Sequence, residues 1–267
     1  MNFLSVLGDF LKRNSAVKGS PLPLVHTCQS YNLEGIMAAS AISTRHCDVF
    51  KEQLNYFFVG RPAYKKELSS EAAEWELPIC FVFSYDISNA KRIFPFDSGA
   101  FERKIFPSFI QMMNRDSFDV ISTPDAPARV IGTFFGSPAN YFRLKTPDED
   151  TFAGKFSLGV FDAEIRALHR LIIKTGKPPD QSTEYKKIDD RRFTIEVQFP
   201  ADKILNKKDL LAVVLPEPYF LDTKVTKYFR ALGAQLISYQ VHPLNPNLYY
   251  AIIYEKLYDF FRRKKYI

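Results

Sequence analysis

Cysteine is scarce in this chain: Cys28, Cys47 and Cys80 are the three in 267 residues. An odd, sparse set builds no disulfide framework and fits a reducing compartment. Cys28 and Cys47, even taken with His26 and His46, match no zinc-ligand spacing, so no metal is expected. Long apolar runs are also missing, and none has the roughly 20 residues that cross a bilayer. There is no Walker-type or dinucleotide-fold glycine motif. No serine sits in a nucleophile elbow. Internal repeats and low-complexity tracts are absent. The stretch from Met1 to Arg13 is amphipathic and ends in positive charge. It lacks the basic region and long apolar core of a secretory signal, so a packing helix is expected there. These absences point to a cytoplasmic protein without a membrane segment.

What is present is aromatic. Hydrophobic residues make up 46% and aromatic residues 15%, enough for a sizeable core and too much for a disordered chain. The formal net charge is +6, an excess that helps a protein approach nucleic acid or an acidic surface.

Local patterns then divide the chain. Residues 1–20 read as a helix and a Gly/Ser/Lys linker. Pro21 and Pro23 lead into a strand, Leu24–Thr27. Ser30 or Asn32 is placed to cap the helix that follows, whose Leu33, Ile36 and Met37 form an apolar face. Asn55–Val59 and Leu77–Tyr85 read as strands. Ile93–Phe101 and the proline-rich Ser122–Arg129 read as loops, and Phe106–Asn114 as a helix between them. Asp162–Ile173 has helical spacing, and 176–183 is a polar loop. In Arg191–Phe199, Phe193, Ile195, Val197 and Phe199 alternate with Thr194, Glu196 and Gln198. That period predicts a strand with Glu196 and Gln198 on the polar face. Leu210–Leu215 reads as a buried strand. Asp222 caps a helix that ends at Gly233. Gln235–Tyr239 returns as a strand, and the chain from Leu248 onward fits a helix. The fold class expected is α+β with a mixed or antiparallel sheet.

Two early segments carry the chemistry. Leu24-Val25-His26-Thr27-Cys28 places a polar His-Thr step late in an apolar strand, before a short helix. Leu54 to Pro62 (Leu-Asn-Tyr-Phe-Phe-Val-Gly-Arg-Pro) is an aromatic strand ending in a Gly-Arg-Pro turn. Together they resemble the ADP-ribosyltransferase superfamily, and within it the DarT-like toxins that modify nucleic acid. The resemblance covers His26–Tyr64, and extends more loosely over Arg191–Tyr239. It implies one elaborated domain over 1–267, with a split mixed sheet, flanking helices and a target-binding insertion at about 85–185.

The chemistry so implied splits NAD and transfers its ADP-ribose. Nicotinamide leaves through a transition state with oxocarbenium character, which a carboxylate beside the sugar stabilises. By the resemblance, His26 and Thr27 bind NAD, Arg61 clamps it, and Glu196 is catalytic. Tyr56 and Tyr64 flank Arg61 as candidates to stack on nicotinamide, with simple packing the alternative. Glu164 and Glu184 are rival carboxylates. The residues themselves leave plainer readings open. His26 fits a partly buried histidine with one hydrogen bond, Arg61 a surface ion pair, and Glu196 the solvent face of a half-exposed strand.

Two departures from the family pattern bear on the target. Ser40-Ala41 stands where a glycine often follows the first helix. Thr194, rather than Glu or Gln, stands two residues before Glu196, which turns the expectation from protein arginine towards RNA or DNA. A bacterial toxin with an antitoxin partner, or an anti-phage role, follows from family habit. Protein as acceptor, and a non-catalytic binding module, are the alternatives. The basic run Arg262-Arg263-Lys264-Lys265, beside Phe260, Phe261 and Tyr266, suits either a phosphate backbone or a solvated helix end.

Overall fold

A computed structural model of the chain describes residues 5–14, 21–63, 68, 72–175, 193–241 and 248–267. Tyr64, Glu184 and the expected loop at 176–183 lie outside them. The strands are β1 (Leu24–Gln29), β2 (Ala41–Ile42), β3 (Arg45–Cys47), β4 (Glu52–Val59) and β5 (Pro78–Phe83). They continue as β6 (Arg92–Phe94), β7 (Glu196–Phe199), β8 (Lys203–Ile204), β9 (Leu210–Pro216) and β10 (Gln235–Tyr239). The helices are α1 (Val6–Asn14), α2 (Leu33–Ala39), α3 (Ser98–Glu102), α4 (Ser108–Gln111), α5 (Ala126–Phe135) and α6 (Pro138–Phe142). After these come α7 (Glu149–Phe156), α8 (Ala163–Thr175), α9 (Glu217–Leu221), α10 (Thr223–Ala231) and α11 (Tyr249–Arg263). The protein is α+β with a mostly antiparallel mixed sheet. Among the described residues, no helix is long and apolar enough to cross a membrane.

The chain forms two compact units. One comprises Met1–Pro21 and Ala90–Val197, the other Leu22–Asn89 and Gln198–Ile267. In the second unit the strands run β10-β9-β5-β1-β4, with β3 on β4. Pairing is antiparallel except between β9 and β10. That parallel pair needs a crossover, which α9 and α10 supply. Every residue of β5 is buried, as its unbroken apolar run predicts for a central strand covered on both faces. The Asp222 carboxylate accepts from the Val225 N–H at 2.9 Å and caps α10. Gly233, at φ +73°, ends that helical stretch. Helix α11 buries Tyr249, Tyr250, Ile253, Leu257, Phe260 and Phe261, the apolar face legible in its spacing.

The first unit is built on stacked aromatic rings. Phe96 lies 5.2 Å from Phe101, 5.4 Å from Phe106 and 5.2 Å from Phe118, centroid to centroid. A second group gathers Phe134, Phe135, Tyr141 and Phe193. Such pairs add roughly 0.5–1.5 kcal/mol beyond their buried area. The expected N-terminal helix is α1; its Leu7, Phe10 and Leu11 are buried, and the Leu11 carbonyl accepts from Arg129 at 3.3 Å.

Several local expectations are corrected. Residues 93–101 hold the end of β6 and the start of α3, because Asp97 caps a helix by accepting from the Ala100 N–H at 2.8 Å. The proline-rich 122–129 stretch gives way to α5 from Ala126, since proline is tolerated in a helix's first turn. The helix expected over 106–114 is confined to α4. Neither Ser30 nor Asn32 caps α2: Ser30 bonds the Leu77 carbonyl through its hydroxyl at 2.7 Å, and the Asn32 amide donates to Gln29 at 3.1 Å. A 3-10 turn over Ser30–Asn32 feeds α2 directly and leaves no cap position to fill. Strand β7 begins only at Glu196.

Candidate functional site

The second unit holds the early motif. His26 lies on β1 beside β4, and its Nδ1 is 2.8 Å from the Tyr56 carbonyl oxygen. A carbonyl only accepts, so Nδ1 carries the proton and the neutral ring presents Nε2 as an acceptor. Phe57 packs 5.3 Å from the imidazole and Phe81 6.5 Å. Burial against these rings pulls the His26 pKa down to about 4, helped by the positive charge of Arg45 and opposed by the Tyr56 bond. The ring is therefore neutral at pH 7. This is the geometry of a partly buried histidine anchored by a backbone bond.

Thr27 is buried and sits opposite Cys80 in the β1–β5 register. Burial raises both the Cys28 and the Cys80 thiols to about 12, so neither supplies a thiolate at neutral pH. The Tyr56 hydroxyl donates to Cys47 Sγ at 2.8 Å, which ties that phenol to β3.

The Gly-Arg-Pro turn is set by glycine. Gly60 has φ +68°, and a Cβ there would lie 2.7 Å from Leu22 Cδ1. Its N–H donates to the Pro23 carbonyl at 2.8 Å, closing the turn onto the start of β1. Arg61 follows and is only 2% exposed, which rules out the surface ion pair. Its guanidinium carbon lies 5.6 Å from the Tyr254 ring centre on α11. The Tyr250 hydroxyl donates to the Pro62 carbonyl at 2.5 Å, so α11 clasps the turn at two points.

Glu196 lies in the first unit, at the start of β7, and is 1% exposed. The half-exposed strand is thus corrected: Glu196, Val197 and Gln198 are all buried. The alternation survives in the sequence, but both faces of the strand are covered. Glu196 Oε1 accepts from the Ser98 hydroxyl at 2.7 Å and Oε2 from the Ser98 N–H at 3.3 Å. Asp97 caps the same short helix, so two carboxylates hold the entry to α3.

His26, Thr27, Tyr56 and Arg61 therefore share one unit, and Glu196 belongs to the other. The rival Glu164 lies in the first turn of α8, half-buried. Ser98 and Tyr254, which touch two of the predicted residues, were not singled out by sequence. The Asp97-Ser98 pair is a capping signal that would have pointed to a helix there. Tyr254 carries no local signal of its contact. The basic run 262–265 is exposed at the end of α11, where positive charge suits the helix C-terminus. Among the described residues, no group of three or more His, Cys, Asp or Glu side chains is placed to hold a metal ion.

No family model matches this chain, and no match to it is found among curated proteins or solved structures.

Proposed function

We propose that this chain is an NAD-dependent mono-ADP-ribosyltransferase that acts on a nucleic-acid base in RNA or DNA, as a toxin paired with an antitoxin or in anti-phage defence. The observation that carries the reading is the pairing of His26 with the buried Gly-Arg-Pro turn in one unit. His26 is neutral with Nε2 available to accept from a ribose hydroxyl. Arg61 is a cation held in a buried setting, where its attraction for a pyrophosphate is stronger than in water. Thr27 and Tyr56 line the same strands. By the resemblance, Glu196 is the carboxylate that would stabilise the positive charge that develops on the ribose as nicotinamide leaves.

A second reading is favoured by Glu196 itself. A carboxylate buried and bonded twice to Ser98 is also what a purely structural glutamate looks like. On that reading the chain is a non-catalytic module that binds nucleic acid or a protein partner.

Radiolabelled NAD separates the two. The protein is incubated with single-stranded DNA, RNA and cell lysate in parallel, beside Glu196→Gln and Arg61→Ala. The proposal expects label on nucleic acid, reduced at least about a hundredfold by Glu196→Gln. Arg61→Ala is expected to weaken NAD binding or transfer. Nuclease-resistant label on protein bands would move the acceptor to protein. Salt-sensitive nucleic-acid binding that is unchanged in Glu196→Gln, with no label on any acceptor, would establish the binding module instead.

A further inference from the structure

Three turns leave the second unit's sheet at the same end. Gln29 pairs with Pro78, and Cys80 pairs with Val214, both in antiparallel register. The end of β1, the beginning of β5 and the end of β9 are therefore neighbours. The chain leaves β1 through the 3-10 turn Ser30–Asn32, enters β5 from the 3-10 turn Glu74–Glu76, and leaves β9 into α9. The Ser30 N–H and hydroxyl both bond the Leu77 carbonyl, at 2.8 and 2.7 Å, which locks the first turn to the second.

Each turn turns large apolar side chains outward. Tyr31 is 59% exposed, Trp75 59% and Leu221 68%. Tyr219 of α9 is half-buried; burial raises its phenol's pKa, and the charge of Glu74 adds to the shift. Exposed aromatic and aliphatic side chains gathered at one end of a sheet are a mark of an interaction surface. Tryptophan and tyrosine are the side chains that dominate interface energetics.

Among the described residues, the turns that carry this patch are acidic. Glu74 and Glu76 flank Trp75, Glu217 opens α9, and Glu34 opens the helix after Tyr31. Arg45 lies at its margin, bonded to Asn32 at 2.7 Å. The whole chain is positive by six formal charges, so this acidic setting runs against the global balance. Carboxylates here repel a phosphate backbone and attract cations, and exposed indole and phenol faces favour guanidinium and ammonium groups.

We infer that Tyr31, Trp75, Tyr219 and Leu221 form a docking surface for an arginine- and lysine-rich segment of a partner protein. Basic side chains lie over the aromatic faces and pair with Glu74 and Glu217. The surface is separate from the His26 and Arg61 motif and does not depend on the chain's activity.

Trp75 is the only tryptophan in the chain, so intrinsic tryptophan emission reports on this surface alone. The full-length protein is titrated with an octa-arginine peptide, with an octa-glutamate peptide and with single-stranded RNA. Saturable change in Trp75 emission with octa-arginine alone is expected. Glu74→Lys with Glu217→Lys should weaken it roughly tenfold, as the reversal of two contacts predicts, while a Lys224→Glu control should not. Tyr31→Ala should weaken it as well, and circular dichroism checks that each variant is folded. Binding of octa-arginine that is indifferent to the double charge reversal would overturn the proposal. So would an emission change driven by RNA. Concentration-dependent self-association abolished by Trp75→Ala would assign the surface to a second copy and overturn it equally.

Discussion

At the scale of single residues, two histidines and one carboxylate carry the sharpest expectations. His169 is buried and stacks on Phe152 at 3.8 Å, and its Nε2 lies 3.0 Å from the Thr146 hydroxyl. That hydroxyl donates to the Phe134 carbonyl at 2.6 Å, and the Pro147 carbonyl is a further acceptor for the His169 ring. Burial lowers the His169 pKa to about 4, as it does for His26. Both are neutral in the folded chain, while unfolded histidines protonate near about 6.5. The unfolded state then binds protons first as pH falls. Stability is fully present above about pH 6.5 and is lost progressively towards about pH 4. Urea unfolding at a series of pH values should show this slope, and His169→Gln should reduce it by up to about one proton. Ser98 makes a different point. Ser98→Ala removes the hydroxyl donor of a buried carboxylate, and a loss of about 1–3 kcal/mol is expected in the same assay. Glu196→Gln keeps an acceptor for Ser98 and should leave the fold intact. A Ser98→Ala variant as stable as the parent would show that Glu196 does not rely on that bond.

At the scale of elements, the Gly60 turn is the most constrained feature. Its positive φ and the approach of Leu22 leave no room for a side chain. Gly60→Ala should destabilise the protein by more than about 1 kcal/mol, and the displaced Arg61 should lose its place over Tyr254. Thermal unfolding tests the first part, and NAD titration tests the second under the proposed function. Unchanged melting would mean that β1 and β4 tolerate a shift at this junction. Helix α5 teaches the complementary lesson. Pro124 and Pro127 read as a loop, yet Pro127 falls in the first turn, where proline needs no N–H partner. Sequence periodicity located α8, α10 and α11 because each has one long apolar face. It missed β6 and α3, which are too short to display a period.

At the scale of the whole molecule, the proposed nucleic-acid target is a question of charge. A net charge of +6 supports approach to a polyanion, and the exposed 262–265 run contributes to it. Nucleic-acid binding measured alongside the labelled-NAD assay should weaken as salt rises, by counterion release. Salt-independent binding would point away from a phosphate-driven contact. The acidic aromatic end of the second unit's sheet has the opposite charge, which favours cations. Under the two proposals, these surfaces would sort partners by sign.

The sequence alone determined the α+β class, the central strands β5 and β9, and the positions of β1, β4, α10 and α11. Those features rest on local periodicity, apolar runs and turn chemistry, all of which act over a few residues. It also located His26, Thr27, Tyr56, Arg61 and Glu196 as residues worth testing. The tertiary structure decided what surrounds them. Only folding set the Tyr56 carbonyl against His26, 30 positions away, and so chose its tautomer. Only folding brought Ser98 to Glu196 across 98 positions and buried what alternation had put on a polar face. The same holds for Tyr31, Trp75 and Tyr219, which three separate turns carry to one end of the sheet. Such juxtapositions depend on strand register and long-range packing, and no local pattern of residues encodes them.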